Sequence, residues 1–213
     1  MKELEKRSFL CEVRAETGER GESVIEGRPI VYGSRTRMRD YFDEWDEEIV
    51  KGALDRTDLT DVRFLVNHDV SRIPLARSRR NNGNSTMQLI VDDEGMKIRA
   101  VLDTANNAEA KSLYSAVSRG DVSGMSFMFS ISDEEWLDLD GEIPIRRITS
   151  IGSVVEVSAV TFPAYASTEI YARGKDAMEN AQSALEKARQ QRAASLEKDE
   201  AEKLRLQIQI LGG

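Results

Sequence analysis

The chain has a single imidazole for proton transfer near neutral pH, that of His68. It closes the run Val62-Arg63-Phe64-Leu65-Val66-Asn67-His68-Asp69. There Val62, Phe64 and Val66 alternate with polar or smaller residues, the pattern of a half-buried strand that runs out into a polar turn. A side chain mounted at such a place is held by a sheet and reached from solvent. The plainer alternative is a surface or hydrogen-bonded core histidine. Ser126, in Gly124-Met125-Ser126-Phe127-Met128-Phe129, opens an apolar strand just after a glycine-containing turn. Ser123 is the rival nucleophile beside it, and a serine that only fills a gap in a strand is the alternative to both. The likeness to a G-x-S-x-G elbow is superficial, because Met128 stands at the last glycine and the order is helix-turn-strand. Glu156, within Val155-Glu156-Val157-Ser158-Ala159-Val160-Thr161, sits in a β-branched run. It either faces solvent or is buried against a partner, since an unpaired buried carboxylate is costly. Serine is a weak nucleophile that needs a base, imidazole is that base near neutral pH, and a carboxylate fixes its tautomer. Together the three residue types point to acyl transfer.

Alternation and turn signals predict a β-rich part over 1–173 to position these groups. Strands are expected at 8–13 and at 23–32, the latter bent at Gly27 and Pro29 and placed at a sheet edge. Acidic residues at the start and a shared face of Ile49, Ala53 and Leu54 predict a short helix over 43–54. Residues 87–91 and 96–102, joined by Asp92-Asp93-Glu94-Gly95, form the clearest hairpin. A helix capped at Asp103-Thr104, with Ala110, Leu113 and Val117 as its apolar stripe, should stop at Gly120. Further strands are expected at 125–131, 143–148 and 154–161.

The character changes after Arg173. Residues 174–213 hold no aromatic residue and no proline, and their seven basic and seven acidic side chains cancel. The whole net charge of −8 therefore lies on the front part. Ala177, Ala181, Ala184 and Ala188, and then Ala201, Leu204, Ile208 and Leu211, recur at heptad-like spacing, so the segment is expected to be a helical tail of coiled-coil type.

That acidic balance runs against a nucleic-acid partner, which needs a basic face. The short Arg77-Ser78-Arg79-Arg80 stretch reads as a solvated turn. One cysteine, Cys11, permits no internal disulfide, and one cysteine with one histidine gives no usual zinc site. Asp138-Leu139-Asp140-Gly141 is like a calcium loop, but Trp136 takes the first ligand position and no glutamate closes it. No cofactor or metal is expected. The start, Met1 to Arg7, lacks the apolar core of a signal peptide, and no run approaches a membrane span. A soluble protein of a reducing cytoplasm, with no membrane partner, is the expectation.

The three stretches around His68, Ser126 and Glu156, the last continuing into Phe162-Pro163-Ala164, resemble the prohead maturation protease family of HK97-type tailed bacteriophages. The landmarks between them agree: Gly27 to Tyr32, Glu48-Ile49-Val50-Lys51-Gly52-Ala53, and the hairpin of Asp92 to Gly95. The likeness covers roughly residues 20 to 173, and Met128 stands where members often carry glycine. It implies an α+β fold similar to herpesvirus assemblin, a small closed β-barrel ringed by helices, to which this chain adds the helical tail. It also implies a serine endopeptidase that cleaves scaffold and capsid-protein segments, and itself, inside the assembling prohead in the host cytoplasm. Ser126 would be its nucleophile, His68 the general base and Glu156 the third member, with Arg146 and Arg147 as counterparts of an arginine-containing oxyanion loop. The implied partners are the major capsid protein with its scaffold-like segment, and a second copy through the barrel or the tail. A non-catalytic capsid-assembly module of the same fold is the alternative.

Overall fold

The computed structural model describes residues 4–10, 13–39, 44–139 and 141–161, with backbone only at 8–10. The chain forms β1 (Glu5–Leu10), β2 (Val13–Thr17), β3 (Ser23–Val31), β4 (Thr36–Arg39), β5 (Glu44–Ile49), β6 (Asp61–Val66), β7 (Ala76–Arg79), β8 (Met87–Asp92) and β9 (Gly95–Leu102). A helix, α1 (Ala108–Ser118), and two long strands, β10 (Gly124–Leu137) and β11 (Ile145–Val160), follow. The expected helical tail, 174–213, lies outside the described residues.

Two sheets result. The larger has seven strands in the order β1-β10-β11-β5-β4, with β6 also pairing β11 and β7 pairing β6. The smaller runs β2-β3-β9-β8. The α+β closed barrel ringed by helices is therefore corrected. The described residues are 55% strand with one short helix, and among them there is neither a closed barrel nor a helical ring. The physical reason lies in two places. The expected strands at 143–148 and 154–161 are one continuous β11, which pairs β5 in parallel through Ile145–Ile148 and β6 in parallel through Glu156–Ala159. The expected helix over 43–54 is instead β5 and a turn. Trp45, Glu47 and Ile49 alternate inward with period two, and the parallel ladder to β11 prevails over the helical reading of the acidic residues.

Two other elements follow their sequence signals, while Arg77 to Arg79, expected in a solvated turn, belong to strand β7. The hairpin of β8 and β9 closes at Asp92 and Gly95. α1 buries Ala110, Leu113 and Val117, and Gly120 follows its end at φ 78°. Its N-cap is Asn107, four residues after Asp103, and not the expected Asp103-Thr104. The Asn107 side chain accepts from the backbone N–H groups of Glu109 and Ala110 at 2.9 and 3.1 Å. β3 is an interior strand rather than an edge, and its register shifts between Gly27 and Ile30, which gives Pro29 a place without a ladder bond.

One core joins both sheets and the helix, with Phe64, Phe127, Phe129, Ile25, Met96 and Ile148 fully buried within it. Each such side chain contributes roughly 1.5–3 kcal/mol. β10 and β11 are thereby held as the rigid pair on which the chemistry-bearing residues stand.

Candidate active site

β6, β10 and β11 bring the sequence candidates together. Ser126 stands on β10 directly opposite Ser158 of β11, and Ser158 in turn pairs Leu65 of β6. The register of β10 and β11 shifts at Met128/Phe129, so that Glu156 is opposite Met128 and Val154 is opposite Phe129. The unshifted register from Met128–Glu156 to Ser126–Ser158 puts Glu156 on the face of both serines, and it is 2% exposed in a strand end buried on both faces. The carboxylate therefore does not face solvent.

His68 follows β6 in a tight left-handed turn, with φ 50° at Asn67 and 59° at His68. Asparagine and histidine are among the few side chains that tolerate this region. β11 clamps the turn: the Asn67 N–H donates to the Ala159 carbonyl at 2.9 Å, and the Thr161 N–H donates to Asn67 Oδ1 at 2.9 Å. The imidazole then points back over the sheet. Its Nε2 lies 2.5 Å from Ser126 Oγ, and its Nδ1 is hydrogen-bonded to Glu156 Oε1. An ionised carboxylate has no proton to give, so the geometry assigns the hydrogen to Nδ1 and leaves the Nε2 lone pair for the serine hydroxyl. Ser126 is fully buried, and its hydroxyl has a second acceptor in reach, the Arg7 carbonyl of β1 at 2.7 Å. Only with the proton directed to Nε2 is the serine set for deprotonation.

Ser123 lies exposed just before β10 and outside this chain of contacts. Arg146 and Arg147 are in β11, not in a loop. The buried Arg146 guanidinium is bonded to Glu5, Glu47 and Glu134, and that of Arg147 to Glu48 and Glu135. Burial works against the Arg146 charge, but Glu47, Glu5 and Glu134 outweigh it and hold its pKa above the usual arginine range. Both guanidinium groups are thus engaged by carboxylates. Among the described residues no cluster of three or more His, Cys, Asp or Glu side chains is placed to hold a metal. No helix among them is long and apolar enough to cross a membrane.

Sequence reasoning missed Ser158. The Ser158 hydroxyl donates to Glu156 Oε2 at 2.5 Å and accepts from the His68 backbone N–H at 3.2 Å. Its period-two relation to Glu156 on one strand face was the signal available.

The model of the caudovirus prohead serine protease family matches residues 10–183. The chain belongs to this family. As a prohead serine protease it is a serine peptidase of phage capsid maturation. The match takes in β2 to β11, and hence all three strands that carry the site. A solved structure of the bacteriophage T4 capsid assembly protease, gp21, aligns at 13% identity and a TM-score of 0.35, covering 75% of this chain and 99% of that one. No curated protein matches the chain.

Proposed function

We propose that this prohead serine protease is an endopeptidase that cuts capsid-precursor and scaffold segments, and itself, with Ser126 as nucleophile, His68 as base and Glu156 as the orienting carboxylate. One observation carries the reading: the two ring nitrogens of the chain's single histidine are taken by the serine on one side and the buried glutamate on the other. In the first step Oγ of Ser126 attacks the scissile carbonyl carbon while Nε2 of His68 takes the hydroxyl proton. Glu156 accepts from Nδ1–H throughout and stabilises the imidazolium without taking the proton itself. The tetrahedral intermediate collapses as Nε2–H passes its proton to the leaving amine, which leaves an acyl-enzyme on Ser126. Water then repeats the sequence, giving up a proton to His68, and frees the new carboxyl terminus.

The proposed partners are the capsid precursor and its scaffold-like part, encountered inside the assembling shell. The test is cleavage of self and of capsid precursor by purified variants. Ser126→Ala should abolish both, whereas Ser123→Ala should keep most of the activity. Equal losses in the two variants, or cleavage surviving in Ser126→Ala, would overturn the assignment.

A further inference from the structure

The carboxylate and the base are joined twice. His68 donates through Nδ1 to Glu156 Oε1, and its backbone N–H donates at 3.2 Å to Ser158 Oγ, whose own hydrogen goes to Glu156 Oε2 at 2.5 Å. These bonds close a ring through the main chain and side chain of one residue. Ser158 is fully buried, as Glu156 nearly is, so neither carboxylate oxygen has bulk water to replace a lost partner. The ring also spans the left-handed turn. His68 is a non-glycine residue at positive φ, a conformation that histidine tolerates and that the bond to Ser158 helps to hold.

A serine that merely filled a gap in β11 would need one partner. This one uses its donor on the orienting carboxylate and its acceptor on the main chain of the base. From that double use we infer that Ser158 is a positioning residue of the site, which fixes the Glu156 rotamer and the His68 backbone relative to each other. The inference rests on the reading of Ser126, His68 and Glu156 as a catalytic triad. Without the hydroxyl, Glu156 can turn away and Nδ1–H loses its fixed acceptor. Because the inferred role is to hold the base and its carboxylate in register, the loss should fall on kcat.

Ser158→Ala should lower kcat about 10- to 100-fold for capsid-precursor cleavage, in the range for groups that orient a catalytic ligand, with KM nearly unchanged. Ser158→Thr, which keeps the hydroxyl, should recover most of it. Two readouts separate positioning from a general packing defect. Because the chain has one histidine, the imidazole Nδ1–H proton gives a single resonance, and its downfield signal should move upfield or broaden in Ser158→Ala at a temperature where the variant, though less stable, is fully folded. In a Glu156→Gln background, Ser158→Ala should add little further loss, since it acts through that carboxylate. Wild-type kcat with an unshifted resonance in Ser158→Ala, alongside a large loss in Glu156→Gln, would overturn the role of Ser158 and leave the triad standing. Losses that multiply in the double variant would overturn it too. Wild-type rates in both single variants would overturn the triad and this inference together.

Discussion

At the scale of single residues, the proposed triad leaves each proton one useful destination. Glu156 is asked for two acceptors, one by Nδ1–H of His68 and one by the Ser158 hydroxyl. Glutamine keeps the volume but offers one acceptor and one donor, so one of the two bonds must break in Glu156→Gln. If the carboxamide turns its NH2 toward the ring, the imidazole is driven to the wrong tautomer, with the hydrogen on Nε2 where the lone pair should be. Orienting carboxylates of serine triads have cost about 10⁴-fold in kcat on such a change. Glu156→Gln should therefore lose roughly 10²- to 10⁴-fold in kcat, while keeping more activity than Ser126→Ala, because its proposed role is orientation and not bond making. Single-turnover cleavage of capsid precursor would measure it, and a wild-type rate would show that the carboxylate has no part in the chemistry. His68 was legible in the sequence because it is unique. The burial of Glu156 was not, since it depends on β6 and β10 flanking this strand end and on cover over both faces, long-range pairing that no local period reveals.

At the scale of elements, the smaller sheet lies close against itself at one point. Gly95 opens β9 at φ 137°, and a Cβ built there would stand 2.0 Å from the Ile30 carbonyl of β3. Both the backbone conformation and the approach of β3 exclude a side chain. Gly95→Ala should cost more than about 2 kcal/mol, as strain and overpacking add. Gly33 also has positive φ, at 68°, but nothing within 4 Å of its Cβ position, so Gly33→Ala should cost only about 1–2 kcal/mol. Urea unfolding of the two variants checks the difference, and equal losses would show that the β3 contact is unimportant. Local signals predicted this hairpin and the apolar stripe of α1 because turn chemistry and helical period are short-range. They failed at 43–54, where Trp45, Glu47 and Ile49 take strand geometry from a parallel ladder with Ile145–Ile148 about a hundred residues away. They also split β11 into 143–148 and 154–161, whereas its pairing with β10 continues through Ser150, Ile151 and Ser153. The closed barrel came from the family resemblance and not from any residue pattern, and the strand pairings replace it with two sheets.

At the scale of the whole molecule, two features lie beyond the catalytic strands. The first is the segment after the compositional break at Arg173, whose charge sums to zero and whose apolar residues repeat at heptad spacing, a composition suited to docking on a helical partner. The family match runs to residue 183, so the truncation that tests a docking role should keep 1–183. That form should hydrolyse a capsid-derived peptide at the full-length rate yet enter proheads poorly, and normal incorporation would reject the idea. The second feature is the cluster that ties β1, β5, β10 and β11 to one another: Glu5 and Arg7, Glu47, Glu134, and Arg146. Burial raises the pKa of Glu5, but Arg7 and Arg146 outweigh it and hold the carboxyl below its ordinary value. A group so depressed binds its proton less readily in the folded than in the unfolded chain. Its stabilising contribution is therefore complete above the unfolded pKa of about 4.3 and is lost as pH falls through the lower folded value. Because the cluster joins β1 to three other strands, its loss should loosen the strand whose Arg7 carbonyl meets the Ser126 hydroxyl. Denaturant unfolding of wild type and Glu5→Gln should differ by a constant amount from pH 7 down to about pH 5, and the gap should close in more acidic buffer. A gap that stayed open at pH 2, or one absent at pH 7, would show that the Glu5 charge does not hold these strands together.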